Sequence, residues 1–405
     1  MTAWRRGVAV VGLLAGPLLL PYGYWLAPIL LGCLAVVPWP GGRPSLRLSP
    51  APWVLPAASL GLMLAGAIAV ALHDGFRVVL PVLVAALLGA TCLPALTVLR
   101  PGVSWYWAGL AATGVGTGVS AVWQRGWEGH GRAHGFPGVD SILYGDLSLL
   151  VGVCCLAGLA WARHVPHREP WMALLLAGAV GGALASALSG ARGGWLALPL
   201  VAWVFYLGHR WGLAPHRRGV VVGLMLLLLA GMLLWPSSGV QQRLGRAVDE
   251  TQRYVAGEVG GSVGTRLEIY RGSLLLIAEA PLAGQGPADY WPGMQRLMAE
   301  GHIRSLAHRY EHAHNDLLDA WVRYGLPGLL AVFALYLAPL RRFVPALRAG
   351  EPGRRALALA GTLIPVCYFA FGLSYSLFAY PVGVVAYVGS LSLLWWLLGE
   401  DPAIP

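Results

Sequence analysis

The sequence has 405 residues, enough for about two or three globular domains, but only 11% are charged against 57% hydrophobic, with a mean hydropathy of +0.64. A soluble chain carries roughly 25% charged residues, so this one cannot cover a water-facing surface. Disorder, a coiled coil, a disulfide scaffold and an ordinary cytosolic enzyme are excluded, and a polytopic membrane protein is implied. All 28 basic residues are arginine, so the lysine of a classical P-loop nucleotide site is missing as well.

A spanning helix needs about 20 apolar residues. The first uncharged stretch, Gly7–Trp39, is too long for one span, and Pro17, Pro21 and Tyr22-Gly23-Tyr24 interrupt it. Arg5 and Arg6 precede it while Arg43 and Arg47 follow it. If cytoplasmic loops collect arginine, both flanks lie inside and the stretch crosses twice as a hairpin. Its basic start and apolar core also resemble a signal peptide, with Leu30-Leu31-Gly32-Cys33 like a lipoprotein cleavage box; we read an uncleaved signal-anchor hairpin. Further apolar runs begin near Ala51, Arg77, Val103, Val139, Trp171, Gly194, Val220, Asn315, Ala356 and Tyr380. The predicted fold is therefore all-α, a polytopic membrane helix bundle of about 12 transmembrane helices with both termini cytoplasmic.

The charges follow that topology. Predicted inside segments hold 15 arginines against Glu169, Glu351, Glu400 and Asp401, whereas the long outside loop 237–313 holds 8 arginines and 8 acids. The net charge of +10 is thus mainly a topology signal, and nucleic acid is not needed to explain it. The five cysteines, Cys33, Cys92, Cys154, Cys155 and Cys367, all sit in apolar runs without metal-ligand spacing, which predicts neither disulfides nor a zinc site. Residues 1–405 read as one membrane-embedded domain, with the 237–313 loop folded into short amphipathic helices. Val240, Leu244, Val248 and Val255 give one helical stripe; Leu267, Tyr270, Leu274 and Ile277 give another, ended by Pro281 and the Gly284-Gln285-Gly286 turn.

Charges left on the outer side are costly near lipid and mark the places where chemistry can occur. They cluster in four stretches: Gln124–Gly135, Ser189–Trp195, Gly264–Arg271 and Arg309–Asp316. Arg192 is the only charge between two strongly apolar helices, in a turn with Gly190, Gly193 and Gly194. Its guanidinium could hold a phosphate bidentately or snorkel to lipid headgroups. Arg266, with Glu268 and Arg271 nearby, could bind an anion or form surface ion pairs. His312 and His314 stand two residues apart, which on a helix would not face each other. A metal site through an extended His-Ala-His, a helix cap and a general base are the three readings of that pair.

One motif points to a family. His314-Asn315, nine residues, Gly325, two residues and Gly328 resembles the His-[Asn/Ser/Gln]-x9-Gly-x2-[Gly/Thr/Tyr] signature of bacterial O-antigen ligases. The Ser189–Trp195 turn looks like that family's Ser-x-x-Arg-Gly turn, and Arg266 is followed by Pro281-Leu-Ala-Gly284-Gln-Gly286. The resemblance runs from about Arg132 to Gly328. It implies a membrane glycosyltransferase of type C-like fold that is metal-independent and inverting, needs no cofactor or nucleotide, and lies in the bacterial inner membrane with its site facing the periplasm. The implied donor is an O-antigen glycan on undecaprenyl pyrophosphate, and the implied acceptor is lipid A-core oligosaccharide. Carried over by position, His314 is the general base or acceptor-positioning group, and Arg192 and Arg266 hold the leaving pyrophosphate. Arg132, His312 and Asn315 are possible supporting residues. An O-antigen polymerase or a pilin oligosaccharyltransferase of the same superfamily shares much of this pattern; the end of the sequence at Pro405 favours the ligase over the latter. A polyprenyl-lipid flippase is the alternative from another class, although its charges would lie deeper within the spans.

Overall fold

A computed structural model describes residues 3–36, scattered positions between 61 and 99, and residues 100–136, 138–209, 240–304 and 310–399. The spans expected near Ala51, Arg77 and Val220 lie outside the described residues or almost entirely so. Among the described residues every regular element is helical.

The chain enters through α1 (Ala3–Leu19) and α2 (Gly23–Val36), which pack on each other. The break falls at Leu20–Tyr22, where Tyr22 takes a left-handed φ of 54°. The hairpin predicted for Gly7–Trp39 is therefore present, and the helices meet closely because Gly16 and Gly23 carry no side chains: a Cβ on Gly23 would stand 1.9 Å from the Gly16 carbonyl oxygen.

Next come α3 (Val103–Gly126), α4 (Ser141–Ala162), α5 (Arg168–Ser189), a 3-10 turn (Arg192–Ala197) and α6 (Leu198–His209). Apolar burial gives little direction to helix association in lipid, so small residues that let backbones touch decide the packing. A Cβ on Gly114 of α3 would lie 2.2 Å from the Gly178 oxygen of α5, and one on Gly182 of α5 would lie 2.4 Å from the Ser148 oxygen of α4. These seams lock α3, α5 and α4 into one layer. Asp140 starts α4 by accepting from the amides of Ile142 (2.7 Å) and Leu143 (3.0 Å).

The segment 240–304 folds as α7 (Val240–Val255), α8 (Gly261–Glu279) and α9 (Tyr290–Ala299). It builds a second small core of Ile269, Leu276, Tyr290, Met294 and Leu297. The predicted Leu267–Tyr270–Leu274–Ile277 stripe holds only in part: Ile277 is buried in this core and Tyr270 packs on it, but Leu274 is 52% exposed while Leu276 is fully buried. The apolar run Leu274–Ile277 wraps the helix, so periodicity alone could not choose, and α9 chose Ile269 and Leu276.

Long helices α10 (Asp316–Ala346), α11 (Pro352–Gly372) and α12 (Pro381–Gly399) close the bundle, with a 3-10 turn at Leu377–Ala379. Together with α4 and α5 they are the five described helices long and apolar enough to cross a membrane. The chain is a multi-pass membrane protein.

One irregularity in α10 governs the rest. Gly325 sits at φ 63°, ψ −161°, inside the helix, in a region essentially restricted to glycine. Pro327 lacks the N–H that would have met the Arg323 carbonyl. The freed groups are taken by the Pro281–Gly286 segment: Gln285 N donates to Val322 O (2.7 Å), Gly286 N to Arg323 O (3.2 Å), and Leu326 N to Leu282 O (3.2 Å). Two sequence features that are 40 residues apart, the Gly325 motif and the Gly284-Gln-Gly286 turn, are in fact the two halves of one joint. A Gly325→Ala substitution adds a Cβ 2.1 Å from the Leu282 oxygen at a backbone geometry that alone costs about 1–3 kcal/mol. It should lower the thermal midpoint in detergent markedly and speed proteolysis near residues 281–286; an unchanged midpoint would refute the joint.

Candidate functional site

The ends of α4, α5, α8 and α10 and the turn between α11 and α12 converge at one end of the bundle. The centre is His314. Asn315, not histidine, caps α10: its Oδ1 accepts from Leu317 N (3.0 Å) and Leu318 N (3.1 Å), a bond set worth about 1 kcal/mol. The imidazole one residue earlier is therefore released from capping. Its backbone takes φ 50°, a strained choice for a non-glycine residue. Bonds on both sides hold it there: Tyr270 OH donates to His314 O (3.2 Å), and Asn315 N donates to Ser376 Oγ (3.2 Å).

The His314 ring stands between Tyr310 and Tyr375, at centroid distances of 5.1 and 5.5 Å. Its Nδ1 is buried with no hydrogen-bond partner. Burial first, then the Arg266 charge and then His312, pushes its pKa down to about 4, against the pull of Asp319 and Asp140. The ring is neutral at pH 7 with nitrogen lone-pair capacity to spare, which is the state a general base requires.

Arg266 is the cation that acts on it. It lies one turn before Tyr270 on α8, so the two share a face, and Tyr270 spans to both His314 O and Leu373 O (2.9 Å). Neighbouring Glu268 is fully buried, pairs with Arg271 (3.6 Å) and accepts from Arg304 N (2.7 Å). Among the described residues Arg266 has neither a hydrogen bond nor an ion pair. A half-buried guanidinium without a hydrogen bond or ion pair among the described residues has the chemistry to hold an anion.

His312 has a different task. Arg323 Nη2 donates to its Nδ1 (3.2 Å), Asp319 stands 3.9 Å away, and its ring packs on Tyr380 at 5.1 Å. Burial lowers its pKa, opposed by Asp319 and reinforced by Arg323. Because a guanidinium can only donate, the neutral ring carries its proton on Nε2. Arg323 also pairs with Asp319 (3.2 Å) and donates to the carbonyls of Pro287 (2.6 Å) and Glu311. This buried pair pins the loop ends to α10. Among the described residues no three His, Cys, Asp or Glu side chains gather as a metal site would need.

The remaining predicted residues reach the same end. Arg192 heads the 3-10 turn after α5; its side chain lies outside the described part of the structure. The glycines beside it serve close packing: a Cβ on Gly193 would lie 2.8 Å from Ser374 Oγ, and one on Gly194 would lie 2.2 Å from Asp146 Oδ1. Arg132 joins the turn by donating from Nε to Ser189 O (2.6 Å). Sequence reasoning missed Tyr375, Tyr380 and Asp140. The Tyr375 hydroxyl donates to Asp140 Oδ2, and its ring stacks on Tyr380 at 5.5 Å. Burial, then Tyr380 and Asp140, raises the Tyr375 pKa and keeps it a donor. An Asp before an apolar run is a legible cap signal for Asp140, but no spacing tied Tyr375 to His314.

Residues 177–333 match the family model described as O-antigen ligase, a segment that carries Arg192, Arg266, His314 and Gly325. Over this segment the chain is similar to the O-antigen ligase family. Over 194 residues it is 24% identical to the O-antigen ligase of Escherichia coli K12, covering 47% of this chain and 45% of that protein. Over 209 residues it is 24% identical to an uncharacterized protein of Haemophilus influenzae, covering 51% and 52%. The chain thus spans about half the length of the curated relatives it matches. Asp140, Tyr375 and Tyr380 lie outside the matched segment yet complete the His314 cluster.

The electrostatic link is measurable. Arg266→Ala removes a cation that disfavours imidazolium, so the His314 pKa should rise from about 4 toward the ordinary value. An NMR titration of labelled histidine in the full-length protein would show this; an unmoved His314 titration would separate the two residues.

Proposed function

We propose that this protein is an O-antigen ligase that transfers the O-antigen glycan from undecaprenyl pyrophosphate to a sugar hydroxyl of lipid A-core, with inversion, on the periplasmic side of the inner membrane. The observation that carries the reading is Arg266, without a hydrogen bond or ion pair among the described residues, acting on a neutral His314 whose buried Nδ1 has no partner. In this reaction the acceptor hydroxyl attacks the anomeric carbon. Its proton passes to His314, and the glycosyl–phosphate bond breaks with the electron pair leaving on the pyrophosphate. Arg266 stabilises that growing charge, with Arg192 as its proposed second clamp and Arg132 as support for the turn. His312, fixed by Arg323, stands as a neutral Nε2–H donor beside Tyr380. Asn315 contributes by capping, which leaves His314 free.

Burial is the main cause of the low His314 pKa and the Arg266 charge the second; an anion placed beside Arg266 offsets that second part, so donor binding raises the basicity of the base when it is needed. Consequently the acid limb of kcat should lie at higher pH than that of kcat/KM, because the former reports the donor-bound enzyme. Coincident limbs would contradict this coupling.

The decisive assay is reconstituted transfer with purified protein, undecaprenyl-pyrophosphate-linked O-antigen and rough lipopolysaccharide, without nucleotide. A ladder on lipid A-core supports the ligase, whereas lengthening of the donor glycan alone replaces it with a polymerase. His314→Ala should reduce transfer by about 10²–10⁴-fold with normal membrane insertion, and Arg266→Lys should rescue poorly because it loses the bidentate fork. EDTA should leave the rate unchanged; strong inhibition would restore a metal role for the two histidines.

A further inference from the structure

Beside the His314 cluster lies a cavity of about 950 Å³ formed by the loop after α3 and the start of α4. The sequence singled out this loop, but among its residues the transfer chemistry uses only Arg132. Trp123, Gln124, Glu128, His134, Asp140 and Tyr380 line the cavity. Its polar groups are rich in acceptors. Glu128 Oε1 takes the Trp123 Nε1–H (3.0 Å), which leaves the other oxygen to face the cavity or His130 at 3.5 Å. His134 directs Nδ1 to the Gly135 carbonyl (2.7 Å), which leaves Nε2 as the ring nitrogen open to a ligand. The nearby guanidinium groups are turned to other work: Arg125 binds the carbonyls of His130 and Gly131, and Arg132 binds Ser189.

Two carboxylates and no arginine among the lining residues disfavour a phosphate. They suit a ligand that presents many donors, and the aromatic faces suit one with an apolar flat side. Trp123 is braced for that use: Trp127 stacks on it at 5.3 Å, Glu128 holds its nitrogen, and it is still 53% exposed. A pyranose ring has this pairing of hydroxyl edge and C–H face. Asp140 and Tyr380 then connect the cavity to the reaction centre, because both contact Tyr375, which packs on His314. Trp123 also borders an apolar groove of about 600 Å³ between α3 and α5, lined by Val115, Val119, Val122, Val180 and Leu184. An apolar track therefore runs into a sugar-like cavity, the outline of a glycolipid.

We propose that this cavity is the subsite for an uncharged sugar of the acceptor glycolipid, stacked on Trp123 and presenting a hydroxyl past Asp140 and Tyr380 toward His314. The acceptor assignment rests on the ligase reading; the sugar assignment rests on the cavity.

The test uses the full chain in nanodiscs, with delipidated core oligosaccharide from rough lipopolysaccharide as one probe and inorganic pyrophosphate as the other. Trp123→Ala should weaken saccharide binding about fivefold or more, Trp123→Phe should largely restore it, and pyrophosphate binding should stay unchanged in both. In the transfer assay the same Trp123→Ala and Glu128→Ala substitutions should raise the KM for acceptor and not for donor. Saccharide affinity that is indifferent to both substitutions, or saccharide that competes with pyrophosphate, overturns the subsite. A rise in donor KM instead of acceptor KM overturns the acceptor assignment. Trp123-dependent saccharide binding without any transfer keeps the subsite and rejects the ligase, while transfer unaffected by either substitution does the reverse.

Discussion

The joint between the Gly325 kink and the Pro281–Gly286 segment is the constraint on which the site depends. A helix 31 residues long would ordinarily satisfy its own backbone; here glycine and proline open it, and the released carbonyls at Val322 and Arg323 take amides from the returning loop. Unsatisfied backbone groups at membrane depth cost several kcal/mol, so the loop is held where the kink requires it. That fixes the end of α8, and hence Tyr270 and Arg266, against the start of α10. The buried Asp319–Arg323 pair extends the same clamp to Glu311 and Pro287.

With that geometry set, electrostatics shapes the chemistry. Glu268 pairs with Arg271, and Arg266 makes neither a hydrogen bond nor an ion pair among the described residues. Asn315 performs the capping that His314 could otherwise have performed. Each is a local assignment of partners, and together they leave the Arg266 guanidinium acting on the His314 imidazole. Several neighbouring polar groups have protein partners: Tyr375 with Asp140, His312 with Arg323, Arg132 with Ser189. The contrast separates residues that hold the site from residues available to a substrate.

Much of this was readable from the chain itself. The interrupted first stretch predicted a hairpin, the starts near Val139, Trp171, Ala356 and Tyr380 fell within four residues of observed helices, and the 237–313 loop was expected to be helical. The stripe on α8 was right at Tyr270 and Ile277 but not at Leu274, because four consecutive apolar residues, Leu274–Ile277, offer no preferred face until α9 packs against them. Gly193 and Gly194 beside Arg192 have a role that the chain alone did not reveal, since the described backbone brings them against Ser374 and Asp146.

Sequence by itself determined that the chain is a multi-pass helical membrane protein and that His314, Arg192 and Arg266 are chemically unusual, because apolar run length and costly outer charges are properties of composition along the chain. Tertiary structure decided which of those groups are free and what surrounds them. Tyr375 and Tyr380 lie some 60 residues beyond His314 and share no pattern with it; only the folding of α11 and α12 back on the start of α10 puts their rings together. Partner choice is a competition among groups brought close in space, and linear spacing carries no record of who wins it.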